Sequence, residues 1–128
     1  MRLIRSKNTK PEVQLFSILS EAGIKFTTHV RLGNVIADAL LDRGVVIFVD
    51  SPFWHLRDKG ELRRLSPYWR KRLIKNWTRD RRQERMLRRR GYCVIRFWAD
   101  RLEVGSVLRR IQAAKHRAKE RSAQTLRR

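Results

Sequence analysis

A small α/β domain with one mixed sheet, in the order helix, three strands, helix, strand, helix, is the fold the sequence predicts. Three observations predict it. The run Val45-Val46-Ile47-Phe48-Val49 is continuous and β-branched, the pattern of a strand buried on both faces. Two stretches, one with Leu15, Phe16, Leu19 and Ala22 and one with Trp69, Leu73, Trp77 and Leu87, carry apolar residues at helical spacing behind a cap-and-proline start. At 128 residues and 41% hydrophobic, the chain has the size of one domain with a real core.

The elements follow in order. Thr9-Lys10-Pro11-Glu12 reads as a capping box that starts the first helix, and Gly23 as its stop. Strand candidates cover 24–30, 34–41 and 45–49, the last two joined by a tight, hairpin-like turn at Leu41-Asp42-Arg43-Gly44. Residues 51–65 form a long charged loop. Ser66-Pro67 is the N-cap and first residue of a helix running to about residue 90, with Gly91 as its stop. A fourth strand spans 92–98. From 103 onward, Val104, Val107, Leu108, Ile111 and Ala114 line one helical face among Lys and Arg, with fraying expected beyond about residue 119.

Charge narrows the function. There are 32 Lys and Arg against 12 Asp and Glu, a formal net charge of +20. Such an excess opposes compaction and implies a polyanionic partner, nucleic acid first and an anionic membrane surface second. No apolar run approaches the roughly 18 residues that span a bilayer, and "MRLIRSKNTK" lacks the apolar core of a signal peptide. The single cysteine, Cys93, excludes an internal disulfide and a cysteine-rich zinc site, and fits a reducing, cytoplasmic setting.

Three carboxylates stand where apolar residues are expected. Asp38 interrupts an apolar strand and Asp50 ends the next; a short turn makes these strands neighbours. Paired carboxylates repel and lose hydration on burial, penalties that a divalent cation such as Mg²⁺ removes. On the long helix Asp80 falls ~20° from Trp69, between Leu73 and Leu87 in direction. Its chemical match is His55, in the loop stretch "FVDSPFWHLRD"; an Asp–His pair fixes the imidazole tautomer and prepares a general base. Glu12 is explained locally by the capping box, and its position alone assigns it no catalytic role.

The blocks "IRSKNTKPE", "IADALL", "VVIFVDSPFWH", "YWRKRLIKNWTRDRR" and "GYCVIRFW" together resemble the very-short-patch-repair (Vsr) endonucleases and their homing-endonuclease relatives with a Glu–Asp–x–His–Asp motif. The resemblance implies a restriction-endonuclease-like core of the PD-(D/E)xK type. It divides the chain into a nuclease domain over 1–103 and a basic helix or tail over 104–128, part of that domain or a DNA-binding extension. It implies Glu12, Asp38, His55 and Asp80 as catalytic residues. Mg²⁺ would be held by Asp38 and the backbone carbonyl of Val49, with Asp50, where the family varies, left open as a third ligand. Phe53, Trp54 and Trp69 occupy the places of aromatic side chains that enter the DNA stack, and an apolar wedge of that kind opens and bends a duplex. The family's structural zinc has no ligands here, since Pro52 and Asp100 stand at two of its cysteine positions. No zinc is expected, and packing, salt bridges or DNA must hold the long loop.

The basic residues flanking the site, Arg57, Lys59, Arg63, Arg64, Arg70, Lys71, Arg72 and Lys75, are candidate phosphate contacts on double-stranded DNA. The expected activity is Mg²⁺-dependent endonucleolytic cleavage by a monomer or DNA-induced dimer. A homing-type nuclease stands first and a mismatch-nicking repair enzyme second. A non-catalytic nucleic-acid-binding module is the rival class, but it has no use for Asp38, Asp80 and His55.

Overall fold

The computed structural model describes residues 9–126; the start of the "IRSKNTKPE" block and the last two residues lie outside them. Helix α1 (Lys10–Glu21) leads into strands β1 (Phe26–Leu32), β2 (Val35–Leu41) and β3 (Val45–Asp50). Helix α2 (Pro67–Arg89), strand β4 (Cys93–Trp98) and helix α3 (Val104–Leu126) complete the expected order. The strands lie side by side as β1-β2-β3-β4. The first three are antiparallel, whereas β4 runs parallel to β3 because α2 carries the chain back as a crossover. The sheet is therefore mixed, as the sequence predicts.

Every residue of β3 is buried, as its unbroken apolar run requires. Val45, Ile47 and Val49 join Leu15 and Leu19 of α1 and Val107, Ile111, Ala114 and Ala118 of α3 in one core. Val46 and Phe48 join Leu87 of α2 and Val94 in a second. Strand β2 contributes to both, Ala39 and Leu41 to the first and Val35 and Ala37 to the second. The divide falls at Asp38, next to the point where pairing with β3 stops at Ala39↔Ile47. The β2–β3 turn holds Arg43 and Gly44 at positive φ, 64° and 74°. A Cβ on Gly44 would also crowd the Tyr92 ring at 3.3 Å, which adds to the preference for glycine set by its φ.

Three local expectations are corrected. Thr9 is the N-cap of α1, but its side chain makes no cap hydrogen bond, and Glu12 is buried and turned toward β1 instead. A tertiary partner outcompetes the capping box. Along α2 only Leu73 and Leu87 are buried; Trp69 is exposed and Trp77 half-buried, because the first half of the helix lies over the 51–65 loop rather than the sheet. Helix α3 continues to Leu126, past the expected fraying point, and its packed stripe extends one turn beyond Ala114 to Ala118.

Candidate active site

The site lies where β2 and β3 part. Asp38 is 2% exposed, and its Oδ2 accepts the backbone N–H of Val49, two residues past the last ladder position of β3, at 2.7 Å. The carboxylate thus takes over a strand hydrogen bond and is held rigidly by it. Val49, whose carbonyl the resemblance makes a metal ligand, gives its N–H to Asp38.

Glu12 reaches the same corner from α1. Its Oε2 lies 3.1 Å from Nε2 of His29 on β1. Ligand atoms of Glu12, His29 and Asp38 all lie within 4.8 Å of one another, the cluster among the described residues that fits a metal ion. Two buried carboxylates and an imidazole form an oxygen-rich donor set that suits a small divalent cation. Sequence reasoning missed His29, which sits in a short, mixed strand without distinguishing periodicity. The signal was the "LGN" turn: it sets the hairpin register that places residue 29 across from residue 38.

Asp50 is not in that cluster. Arg96 on β4 holds it, with Nη1 at 3.0 and 3.1 Å from its two oxygens, while Arg96 Nε donates to Glu84 at 2.8 Å. Burial lowers the Arg96 guanidinium, but Asp50, Glu84 and Asp80 outweigh it and its pKa is raised. The parallel β3–β4 pairing puts Asp50 beside this cation, so its charge is already compensated without a metal.

His55 and Asp80 meet as the sequence predicts, Nδ1 to Oδ2 at 2.6 Å. The carboxylate accepts, so Nδ1 carries the proton, and in the neutral ring the lone pair is on Nε2. That nitrogen is 3.7 Å from Asp50 Oδ1. Glu12, Val49, Asp50, His55 and Asp80 all line one cavity of about 680 Å³. Three of the four catalytic candidates, Glu12, His55 and Asp80, therefore share one opening, and Asp38 is tied to it through the N–H of Val49.

The Vsr profile, described as DNA mismatch endonuclease Vsr, matches residues 1–61. The type II nicking enzyme V.XorIIP of Xanthomonas oryzae pv. oryzae is 33% identical over 77% of this chain and 75% of its own length. The chain belongs to the Vsr family of DNA endonucleases. The type II nicking enzyme V.NmeDIP of Neisseria meningitidis serogroup C is 28% identical over 78% of this chain and 71% of its own. Among solved structures, the catalytic domain of the homing endonuclease I-Bth0305I superposes with a TM-score of 0.62 at 22% identity, covering 87% of this chain and 98% of that one. It shares the fold.

This Vsr-family chain gathers the three aromatics singled out by sequence. Phe53, Trp54 and Trp69 stand edge to face with centroids 5.3 to 5.9 Å apart, and Tyr68 joins them at 5.4 Å from Trp69. Phe53 is 44% exposed, Trp69 37% and Tyr68 62%, a costly display of apolar surface that its own fold does not use. Tyr68 was not anticipated; it follows Ser66-Pro67 directly and reads locally as an ordinary first-turn residue.

The cations divide. Lys59, Arg63, Arg64, Arg70, Lys71, Arg72 and Lys75 are exposed. Lys59 lies 4.4 Å over the Trp77 ring, and Arg72 donates to the Tyr68 hydroxyl at 2.9 Å. Arg57 is the correction. Its Nη atoms grip both oxygens of Asp100 at 2.6 and 2.8 Å and its guanidinium lies 5.5 Å over Trp98, so it is engaged within the protein rather than held out for phosphate. This bidentate pair ties the 51–65 loop to the segment after β4, the two places where the family resemblance puts zinc-binding cysteines. Its hydrogen bond holds the Asp100 carboxyl below the usual carboxylate range.

Proposed function

We propose that the chain is a divalent-metal-dependent endonuclease that nicks one strand of double-stranded DNA, with Mg²⁺ as the cellular cofactor and the cytoplasm as its setting. The observation that carries this reading is the His55–Asp80 pair opening into the same cavity as Glu12, beside the buried Asp38. The family relatives bear the name of nicking enzymes, which supports one-strand cleavage.

Asp38, with Glu12 beside it, would hold the cation. When bound, the cation supplies Lewis-acid polarisation of the scissile phosphate and charge stabilisation for the departing 3′-oxygen. The chain's own residues do the rest. Asp80 fixes His55 so that Nε2 accepts a proton from water as the water oxygen bonds to phosphorus and the bond to the 3′-oxygen breaks. The departing 3′-oxygen takes a proton from solvent water, and the products are a 5′-phosphate and a 3′-hydroxyl. Arg96 keeps Asp50 neutralised, so that the anionic backbone meets one less repulsive charge. Phe53, Trp54, Trp69 and Tyr68 enter the base stack beside the target step, and the exposed cations of the loop and α2 clamp phosphates.

A homing-type nuclease cutting a longer site is the second reading. It is favoured by Asp50, held by Arg96 at the position where the family varies, and by the Arg57–Asp100 pair where the resemblance puts zinc-binding cysteines. Supercoiled plasmid, mismatched duplex and matched duplex, each incubated with Mg²⁺, with EDTA and with the Asp38→Ala protein, test both. Nicked circles that require Mg²⁺ and Asp38 support the nicking reading. Linear product at one site supports the second, and no cleavage of any substrate removes both.

A further inference from the structure

His29 enters no account of the reaction above, yet three independent features converge on it. The β1–β2 register runs Thr28↔Ala39 and Val30↔Ala37, which sets His29 directly across from Asp38. In mid-strand its backbone takes φ 50°, a left-handed value that a non-glycine residue in a strand rarely adopts. Its Nε2 lies 3.1 Å from Glu12 Oε2, with the side chains 16% and 6% exposed.

The distances match a coordination sphere. Octahedral ligands at ~2.1 Å from a small divalent ion stand ~3.0 Å from their neighbours and ~4.2 Å from their opposites. The His29–Glu12 separation of 3.1 Å already fits adjacent ligands. The remaining pairs, within 4.8 Å, need only a slight contraction. Asp38 is pinned by the Val49 N–H, so the contraction falls on the Glu12 and His29 side chains.

We infer that His29 is a direct ligand of the divalent cation, completing with Glu12 and Asp38 a set of one nitrogen and two carboxylates that binds Mn²⁺ more tightly than Mg²⁺. This rests on the reading of Glu12 and Asp38 as the metal-holding corner of the endonuclease. Imidazole nitrogen favours first-row transition ions, whereas Mg²⁺ keeps to oxygen and retains its waters. Mg²⁺ still serves at cellular abundance; His29 adds an affinity that an all-oxygen site lacks.

The test uses the full chain stripped with EDTA and loaded with Mn²⁺ alone. Electron spin-echo modulation reports a directly bound imidazole nitrogen, and calorimetry reports affinity. His29→Asn and His29→Gly both tolerate the left-handed backbone, and circular dichroism without metal confirms their folding. The expected result is nitrogen modulation in the parent and in His55→Ala, its loss in both His29 variants, and at least about a tenfold fall in their Mn²⁺ affinity. In the parent, Mn²⁺ binds more tightly than Mg²⁺. Modulation that is absent from the parent or persists in the His29 variants overturns the assignment, as does unchanged Mn²⁺ affinity. Plasmid nicking by the same preparations separates the two failures. His29 variants that nick normally and bind Mn²⁺ normally sink the ligand and leave the nuclease reading intact. A parent that shows the His29 nitrogen but cleaves no DNA substrate with Mg²⁺ or Mn²⁺ sinks the nuclease reading and leaves the metal site.

Discussion

His55 sits between two carboxylates that do different work. Asp80, at 2.6 Å, holds Nδ1–H and so orients the ring; Asp50, 3.7 Å from Nε2, is held off by Arg96. If Arg96 were absent, Asp50 would be left to compete for the nitrogen that must meet water. His55→Ala is expected to slow single-turnover nicking by about 10²- to 10⁴-fold, the usual worth of a positioned general base. Asp80→Asn should fall in the same range with its melting temperature nearly unchanged, since the amide keeps the shape but permits the wrong tautomer. A rate for Asp80→Asn near that of the parent would remove Asp80 from the mechanism.

At the level of elements, the 51–65 loop does the work of presentation, and it is fastened twice. Asn76 of α2 donates to the Trp54 carbonyl at 2.7 Å, and Arg57 grips Asp100. The depressed Asp100 pKa gives the second fastening a pH sign. Its contribution is complete above the ordinary carboxylate pKa and is lost as pH falls through the lower folded value. Hydrogen exchange across the loop should therefore speed up selectively on acidification, and Asp100→Asn should show fast exchange already at neutral pH. The aromatic cluster on this loop and the start of α2 makes a different prediction. Because Phe53 and Trp69 are well exposed, replacing both by Ala should change stability by little. DNA bending, read by fluorescence transfer between duplex ends, and nicking should both fall sharply. A double variant that bends DNA like the parent would show that the cluster is not a wedge.

For the whole molecule, net charge dominates association. The seven exposed cations sit on the same loop and helix as the aromatic cluster, so phosphates should meet them together. If all seven engage, the logarithm of the binding constant should fall with the logarithm of salt at a slope of about −6. Arg70→Ala should reduce that slope by nearly one without changing which site is cut. Arg57→Ala should alter the slope little, because its charge is already spent on Asp100.

The periodic elements were legible because near neighbours encode them. The β-branched run of β3, the Ser66-Pro67 start of α2 and the stripe of α3 all appear at their expected places. Asp38, Asp80 and His55 were legible as chemistry, since carboxylates in apolar runs and a histidine among loop aromatics break the local pattern. The exceptions all involve partners distant in sequence. Glu12 abandons its capping box for a residue 17 positions away, Arg96 reaches Asp50 across 46, and Arg57 finds Asp100 across 43. By itself the sequence determined the order of elements, the family and the residue types of the site. Only the tertiary structure decided which carboxylate is neutralised by arginine, which two lie within ligand reach of a histidine, and which arginine is paired with an aspartate. Strand register and loop closure set those pairings, and neither is written in the spacing of a single segment.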